Sequence, residues 1–261
     1  MARTNEQWDL LIQDKVVEIK ELPKFSPVAS RPSPLTTGVT IAITIDHTLL
    51  KPDATSTQID ELCDQALQYK FKSCCVNGAY VSQVSKRLSG SSSIACCVIG
   101  FPLGAGTTKA KAFEARQAVE DGAKEIDMVI NIGALKSGDY ALVHEDIRSV
   151  VDASAGNAVK VILETVLLSD EEKIAASFVA AEAGAAFVKT CTGFLGGGAS
   201  VADVALMKRT VQYKGNVKVK ASAGIRSLNT CLEMLEAGAD RIGTSSGVAI
   251  MQNADSNADA Y

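Results

Sequence analysis

Three stretches of the chain share one device: a helical pattern stops at a glycine and a short apolar run begins at once. They are Glu120-Asp121-Gly122-Ala123-Lys124-Glu125-Ile126-Asp127, Glu182-Ala183-Gly184-Ala185-Ala186-Phe187-Val188-Lys189 and Glu236-Ala237-Gly238-Ala239-Asp240-Arg241-Ile242-Gly243. Glycine suits the left-handed residue just past a helix end, where a Cβ is costly. Gly90, Gly156 and Gly215 sit at similar junctions. The junctions therefore recur at about the thirty-residue length of one strand–helix unit. The apolar runs are nearly continuous rather than alternating, as strands buried on both faces of a parallel sheet are. They fall at 41–45, 73–76, 94–99, 125–130, 158–163, 186–190, 217–221 and 241–243. Amphipathic stretches lie between them, for example 57–70, 109–121, 170–183 and 227–237.

Eight strands alternating with helices predict an α/β fold, a (β/α)8 TIM barrel over residues 41–251. A doubly wound sheet is the alternative, but no Gly-x-Gly-x-x-Gly follows an early strand. Residues 1–40 stand outside the repeat. Trp8, Leu11, Ile12, Val16 and Ile19 recur at helical spacing, and a linker holding Pro23, Pro27, Pro32 and Pro34 follows. The expectation is an extra helix packed across the N-terminal end of the barrel. Residues 252–261 read as a small, polar, flexible tail.

At 261 residues and 47% hydrophobic, the chain can bury a full core. Its net charge of −4 gives no footprint for nucleic acid or an anionic membrane. No apolar run approaches the roughly 20 residues of a membrane span, and residues 1–7 lack the apolar stretch of a signal peptide. Seven cysteines make an odd number, and Cys74-Cys75 and Cys96-Cys97 lie inside strand-like runs. Neighbours on a strand point to opposite faces, so each doublet reads as small core hydrophobes rather than a disulfide. With no Cys-x-x-Cys and two distant histidines, zinc and disulfide frameworks are not expected, and no cofactor is implied. The expected setting is the cytoplasm.

Chemistry is suggested by two lysines at the ends of apolar runs, Lys189 and Lys220, each followed by a Thr/Ser/Gly loop. An ammonium loses its hydration in such a place. With a second cation nearby, its pKa falls and the amine becomes a nucleophile suited to Schiff-base formation. Reactive groups in these barrels lie at the C-terminal ends of strands. Asp46 and Thr48 are expected to end strand one, and Asp127 to point inward from strand four as the lysines' partner. The Thr192-Gly193 turn follows Lys189 at the same mouth. Two further loops resemble an anion cradle: Gly224 and Arg226 after strand seven, and Gly243, Ser245 and Ser246 after strand eight. Loops there commonly hold phosphate through backbone N–H groups at a helix N-terminus. Gly196-Gly197-Gly198 reads as a plain flexible turn.

From Ile45-Asp46-His47-Thr48-Leu49-Leu50-Lys51-Pro52 to Gly243-Thr244-Ser245-Ser246-Gly247 the chain resembles the deoxyribose-phosphate aldolases, Schiff-base enzymes on this barrel. The likeness also rests on Val98-Ile99-Gly100-Phe101-Pro102-Leu103-Gly104-Ala105, on 125–133, on Val161-Ile162-Leu163-Glu164-Thr165 and on Lys189-Thr190-Cys191-Thr192-Gly193-Phe194. The resemblance implies a class I aldolase that reversibly cleaves 2-deoxy-D-ribose 5-phosphate. It makes Lys189 the Schiff-base lysine, Lys220 the second lysine that lowers the first one's pKa and joins proton transfer, and Asp127 the carboxylate of the relay. It also implies a phosphorylated sugar as partner, a homo-oligomer with a dimer favoured, and Tyr261 as a proton shuttle on the tail. The chain departs from the family where serine is usual at Cys191, a glycine pair at Ala223-Gly224 and proline at Gly78. Two other readings fit parts of the pattern: a non-catalytic barrel serving as a binding or scaffold protein, and a Schiff-base aldolase or transaldolase with another donor.

Overall fold

The computed structural model describes residues 3–22 and 38–253. Eight parallel strands close into a barrel in chain order: β1 Ile45–Leu49, β2 Ser73–Val76, β3 Ile94–Ile99, β4 Glu125–Val129, β5 Ala158–Ile162, β6 Phe187–Lys189, β7 Lys218–Ser222 and β8 Arg241–Thr244. The helices are α1 Asn5–Glu21, α2 Gly38–Ala42, α3 Ser56–Tyr69, α4 Val81–Arg87, α5 Thr108–Glu120, α6 Ile132–Lys136, α7 Tyr140–Ala153, α8 Asp170–Glu182, α9 Val201–Val211, α10 Leu228–Glu236 and α11 Gly247–Gln252. None of the described helices is long and apolar enough to cross a membrane.

Local signals set the bounds of these elements. Thr55, Thr107, Ser169, Ser200 and Ser227 each accept a backbone N–H at a helix start, satisfying a donor the helix cannot. Gly122, Gly184 and Gly238 take φ of 105°, 93° and 111° at the three repeated junctions. A Cβ at Gly238 would also lie 2.9 Å from Lys208 Cγ. Glycine is therefore required there for space as well as for φ. The outward faces of the strands and the inner faces of the helices form one apolar layer, including Ile45, Cys74, Ile126, Val161, Val188, Val219 and Ile242.

Two expectations change. The apolar run at 41–45 is not strand one: its start belongs to α2, and β1 begins only at Ile45. Asp46 and Thr48 thus lie within β1, paired in register with Ser73 and Cys75, rather than at its end. The N-terminal helix also sits elsewhere. Arg3 meets Glu182 at one end of α8 and Lys20 meets Glu171 at the other, so α1 runs antiparallel along α8 and also touches α7 and α9. The cause is α8 itself, buried at every position from Ile174 to Ala181. A helix apolar all round needs cover on its outer side. Trp8, Ile12 and Ile19 supply it, while Leu11 stays exposed. The Pro-rich linker and the tail after Asn253 lie outside the described residues.

Candidate active site

Inside the barrel, seven charged side chains converge. Asp46 comes from β1, Glu125 and Asp127 from β4, Lys160 from β5, Lys189 from β6, Lys220 from β7 and Arg241 from β8, and all are buried. Asp127 is the hub. Its Oδ2 accepts from Lys189 Nζ and from Lys220 Nζ, each at 2.8 Å. Its Oδ1 accepts from Lys160 Nζ at 2.7 Å and from Cys96 Sγ at 3.2 Å. A second layer fixes this one. Asp46 pairs with Lys220 at 2.7 Å, accepts from Ser73 Oγ at 2.6 Å and holds Arg241. Glu125 bridges Lys160 at 2.6 Å and Arg241 at 2.8 Å.

Burial disfavours the charge on Asp127, yet Lys160, Lys189 and Lys220 outweigh it and hold the carboxyl well below the usual range. The same contest, won by Lys220, Arg241 and Lys160, lowers Asp46. Burial also works against the Lys220 ammonium, but Asp127 and Asp46 raise its pKa above the ordinary lysine value. Lys160 is raised in the same way, chiefly by Asp127 against burial. The cluster sets four cations against three carboxylates. Lys160 lies within ion-pair distance of all three carboxylates and Lys220 and Arg241 of two each, while among the described residues Lys189 has Asp127 alone. A neutral amine at Lys189 therefore breaks the fewest ionic contacts. Lys189 is also the most accessible of the three lysines, at 3% exposure against 0% for Lys160 and Lys220.

Several residues expected to touch substrate also hold the scaffold. Asp46 is spent on Lys220, Arg241 and Ser73, and Thr48 Oγ1 donates to the Asp46 carbonyl at 2.8 Å. Gly243 lies within β8, where a Cβ would come 2.9 Å from Lys220 Cε and 2.8 Å from Ser222 Cβ. It makes room for Lys220 from within the strand that leads into the Ser245–Ser246 turn. Thr192 donates to Glu164 through both its N–H, at 3.2 Å, and its hydroxyl. Glu164 is fully buried in the left-handed region at φ 59°, and so anchors the loop after Lys189, with Gly193 turning at φ 87°. Thr190 Oγ1 donates to the Ser222 carbonyl at 2.9 Å and accepts from its N–H at 3.0 Å, locking β6 to β7 beside both lysines. Lys160, Arg241, Glu125 and Glu164 were not singled out from sequence.

The two cradle loops do meet. Thr244 Oγ1 donates to the Ile225 carbonyl at 2.6 Å, tying the loop after β7 to the one after β8. Ala223 and Gly224 both take positive φ, 74° and 78°, Gly224 and Arg226 are exposed, Ser245 is half-buried and Ser246 opens α11. The glycine trio is no free turn: Ala199 N–H donates to the Ala223 carbonyl at 3.0 Å, and a Cβ on Gly198 would lie 2.6 Å from that oxygen. Across the mouth an apolar wall is built from Leu50, Cys75, Cys96 and Val98, with Phe101 and Phe194 packed edge to face on it at 5.1 Å. Tyr261 lies outside the described residues.

The comparisons agree with this geometry. The model of the DeoC/LacD family aldolases matches residues 40–253. The deoxyribose-phosphate aldolase of Finegoldia magna is 59% identical over 208 residues, 80% of this chain and 97% of the relative. That of Clostridium tetani is 58% identical over 209 residues, 80% of this chain and 96% of the relative. A solved structure described as a proposed deoxyribose-phosphate aldolase, from Coccidioides immitis, has a TM-score of 0.91 at 42% identity. It covers 96% of this chain and 97% of its own, too large a share to leave out α1. The tetrameric deoxyribose phosphate aldolase of Aeropyrum pernix has a TM-score of 0.77 at 33% identity, covering 83% of this chain and 91% of its own. The chain belongs to the DeoC/LacD aldolase family and is a class I aldolase.

Proposed function

We propose that the chain reversibly cleaves 2-deoxy-D-ribose 5-phosphate to D-glyceraldehyde 3-phosphate and acetaldehyde, with Lys189 as the Schiff-base lysine. The observation that carries this reading is the shared Asp127 Oδ2, on which Lys189 and Lys220 both sit at 2.8 Å in a cluster with one cation more than it has carboxylates. The Lys189 lone pair adds to the C1 aldehyde carbon of the open-chain sugar, and loss of water leaves a protonated imine. Removal of the C3 hydroxyl proton lets the C2–C3 electrons move into the imine. Glyceraldehyde 3-phosphate departs, and an enamine of acetaldehyde stays on Lys189. Protonation at C2 and hydrolysis free acetaldehyde and the amine.

Asp127, held well below the usual carboxylate pKa, is a weak base on its own. It acts through Lys220 or a water, stabilising the cation that the relay creates. Lys220 also sets the positive field beside Lys189. The apolar wall of Leu50, Val98, Phe101 and Phe194 suits the two-carbon donor, and Gly224, Arg226, Ser245 and Ser246 suit the phosphate. The proposal extends to a cytosolic homo-oligomer. All seven cysteines are free, as in a reducing compartment, and the A. pernix relative is tetrameric.

Borohydride added with acetaldehyde should leave a reduced ethyl group at Lys189 and at no other residue stoichiometrically, read by peptide mass spectrometry. A label on Lys220, or none, overturns the assignment. Turnover with dihydroxyacetone in place of acetaldehyde would assign a different donor.

A further inference from the structure

One buried carboxyl at the barrel mouth has no part in the proposed chemistry. Glu164 follows β5, is fully buried and takes a left-handed φ of 59°. Among the described residues it meets no cation, only the N–H and hydroxyl of Thr192. An L-residue in that conformation is strained, and a carboxyl out of water without a cation is expensive. Such costs persist where the surroundings impose them, and they gather at functional sites. The surroundings here are the loop after Lys189. Leu163 N–H donates to the Lys189 carbonyl at 2.9 Å, and Thr165 N–H donates to that of Thr190 at 3.2 Å. Thr165 Oγ1 lies 3.3 Å from Cys191 Sγ. Residues 163–165 are thus stitched to residues 189–192, and the Glu164 carboxyl makes the last stitch.

The chain of contacts continues from there. The Thr192 hydroxyl that donates to Glu164 also accepts from Phe194 N–H at 3.1 Å. The Phe194 ring meets Phe101 edge to face, and both pack on the wall of Leu50, Cys75, Cys96 and Val98. That wall borders the reacting amine: Cys96 Sγ donates to one oxygen of Asp127 at 3.2 Å, and Lys189 Nζ donates to the other at 2.8 Å. We propose that Glu164 is a positioning residue for donor size. Through Thr192 it fixes Phe194 against Phe101, which closes the pocket around a two-carbon imine on Lys189 and leaves no room for a third carbon. This rests on the aldolase reading and deepens it. One methylene in a well-shaped apolar pocket is worth about tenfold or more in discrimination. A loop free to shift gives that discrimination up.

The test offers the full chain equimolar acetaldehyde and propanal and traps the imines with borohydride. Ethyl and propyl groups on Lys189 are then counted by peptide mass spectrometry. The wild-type chain should carry mostly ethyl. Glu164→Leu, similar in volume but with no acceptor, should shift the ratio about fivefold or more toward propyl. Glu164→Gln should keep it within about twofold, because its amide oxygen still accepts from Thr192. Phe194→Leu should give the same shift as Glu164→Leu, and the double variant no more than either alone. If Glu164→Leu misfolds by circular dichroism, Thr192→Val takes its place, with Thr192→Ser, which keeps the hydroxyl, as its control. An unchanged ratio in the folded variant overturns the inference alone, and so do additive effects at positions 164 and 194. Equal ethyl and propyl on the wild-type chain overturns it too. No label on Lys189 of the wild-type chain overturns the aldolase reading, and the inference falls with it.

Discussion

The chain buries lysine in two kinds of place. In the shell between helices and strands, Lys111 of α5 meets Asp146 of α7 at 2.6 Å and also donates to the Val129 carbonyl at 3.0 Å. That is one cation against one carboxylate, both almost fully buried. Inside the barrel, four cations meet three carboxylates in a connected cluster. A closed pair has no proton to give up, because losing one charge leaves the other uncompensated in a low dielectric. An odd cluster has one cation whose neutralisation strands no carboxylate. The difference lies in stoichiometry, since depth is the same in both, and it separates a lysine that holds the shell together from one available as a nucleophile.

Lys189→Leu tests the odd member directly. It leaves three cations against three carboxylates, so cleavage should fall by on the order of 10^4-fold or more. Thermal stability should hold or rise, because the surplus charge is gone. A clear drop in Tm would show that Lys189 is needed for charge balance, and the comparison would break at its root.

Lys111→Met tests the closed pair. Asp146 loses its only ionic partner among the described residues, and its Oδ1 already lacks a hydrogen bond in the structure, so the loss should be about 3–5 kcal/mol. The turnover of the molecules that remain folded should change little. Adding Asp146→Leu should recover most of the stability. Denaturant melts of the single and double variants decide the matter: a harmless single variant would mean that Lys111 is not closed in at all.

How much of this was legible beforehand follows the same division. The glycine-ended repeat gave eight strands and most of their bounds, because helix ends and buried strands have local causes. Lys189, Lys220 and Asp127 stood out because charge in an apolar run needs a reason. Strand one was misplaced by its neighbours. Ile-Asp-His-Thr-Leu reads as the polar exit of a strand until partners on β2, β7 and β8 satisfy Asp46, and these are distant in sequence. Lys160, Glu125 and Arg241 were missed although each also lies in an apolar run, because no Thr/Ser/Gly loop follows it at once and only barrel closure brings the three together. Lys111 in Lys109-Ala110-Lys111-Ala112 gives no local sign that Asp146 waits 35 residues away. The anchoring of Thr192 by Glu164 depends on a left-handed glutamate that no turn signal announces.

Lys220→Arg asks what the second lysine contributes. Arginine keeps the charge but cannot release a proton, and its planar fork is larger than an ammonium. The space beside Lys220 exists only because position 243 is glycine. Cleavage should fall by about 10^2–10^3-fold, with imine trapping on Lys189 less affected than bond cleavage. Near-normal turnover would reduce Lys220 to a fixed positive field, a role its two carboxylate clamps would also serve.

The cluster also fixes a pH response. Asp127 and Asp46 have lowered pKa values, so their stabilisation is present above the ordinary carboxylate value of about 3.9 and is lost as pH falls toward the folded values. Lys160 and Lys220 are raised, so theirs is complete below about 10.4 and is lost as pH rises through the folded values. The buried His47 and half-buried His144 are lowered and the buried Cys97 and Cys231 thiols raised, which narrows the range further. Melting temperature should therefore be level only from about pH 7 to 8 and fall on both sides. A steady slope across that window would mean that the interior charges titrate within it.

The smallest effect is expected where the interior gives way to the cradle. Ala223 sits at φ 74°, a left-handed conformation that costs an L-residue about 1–2 kcal/mol. Ala223→Gly removes that strain, while the freer unfolded chain returns about 0.4–1 kcal/mol of it. Net stabilisation should therefore stay within about 1 kcal/mol, visible as a small rise in Tm. The catalytic consequence should be selective. The loop carries no member of the charged cluster, so kcat should be unchanged, while KM for the phosphorylated sugar should fall several-fold as the backbone N–H groups approach the anion more closely. Unphosphorylated deoxyribose, with nothing to place there, should show no change. An equal improvement for both sugars would mean that the methyl group acts on the barrel mouth as a whole, and the separation of the buried ionic cluster from the cradle would fail.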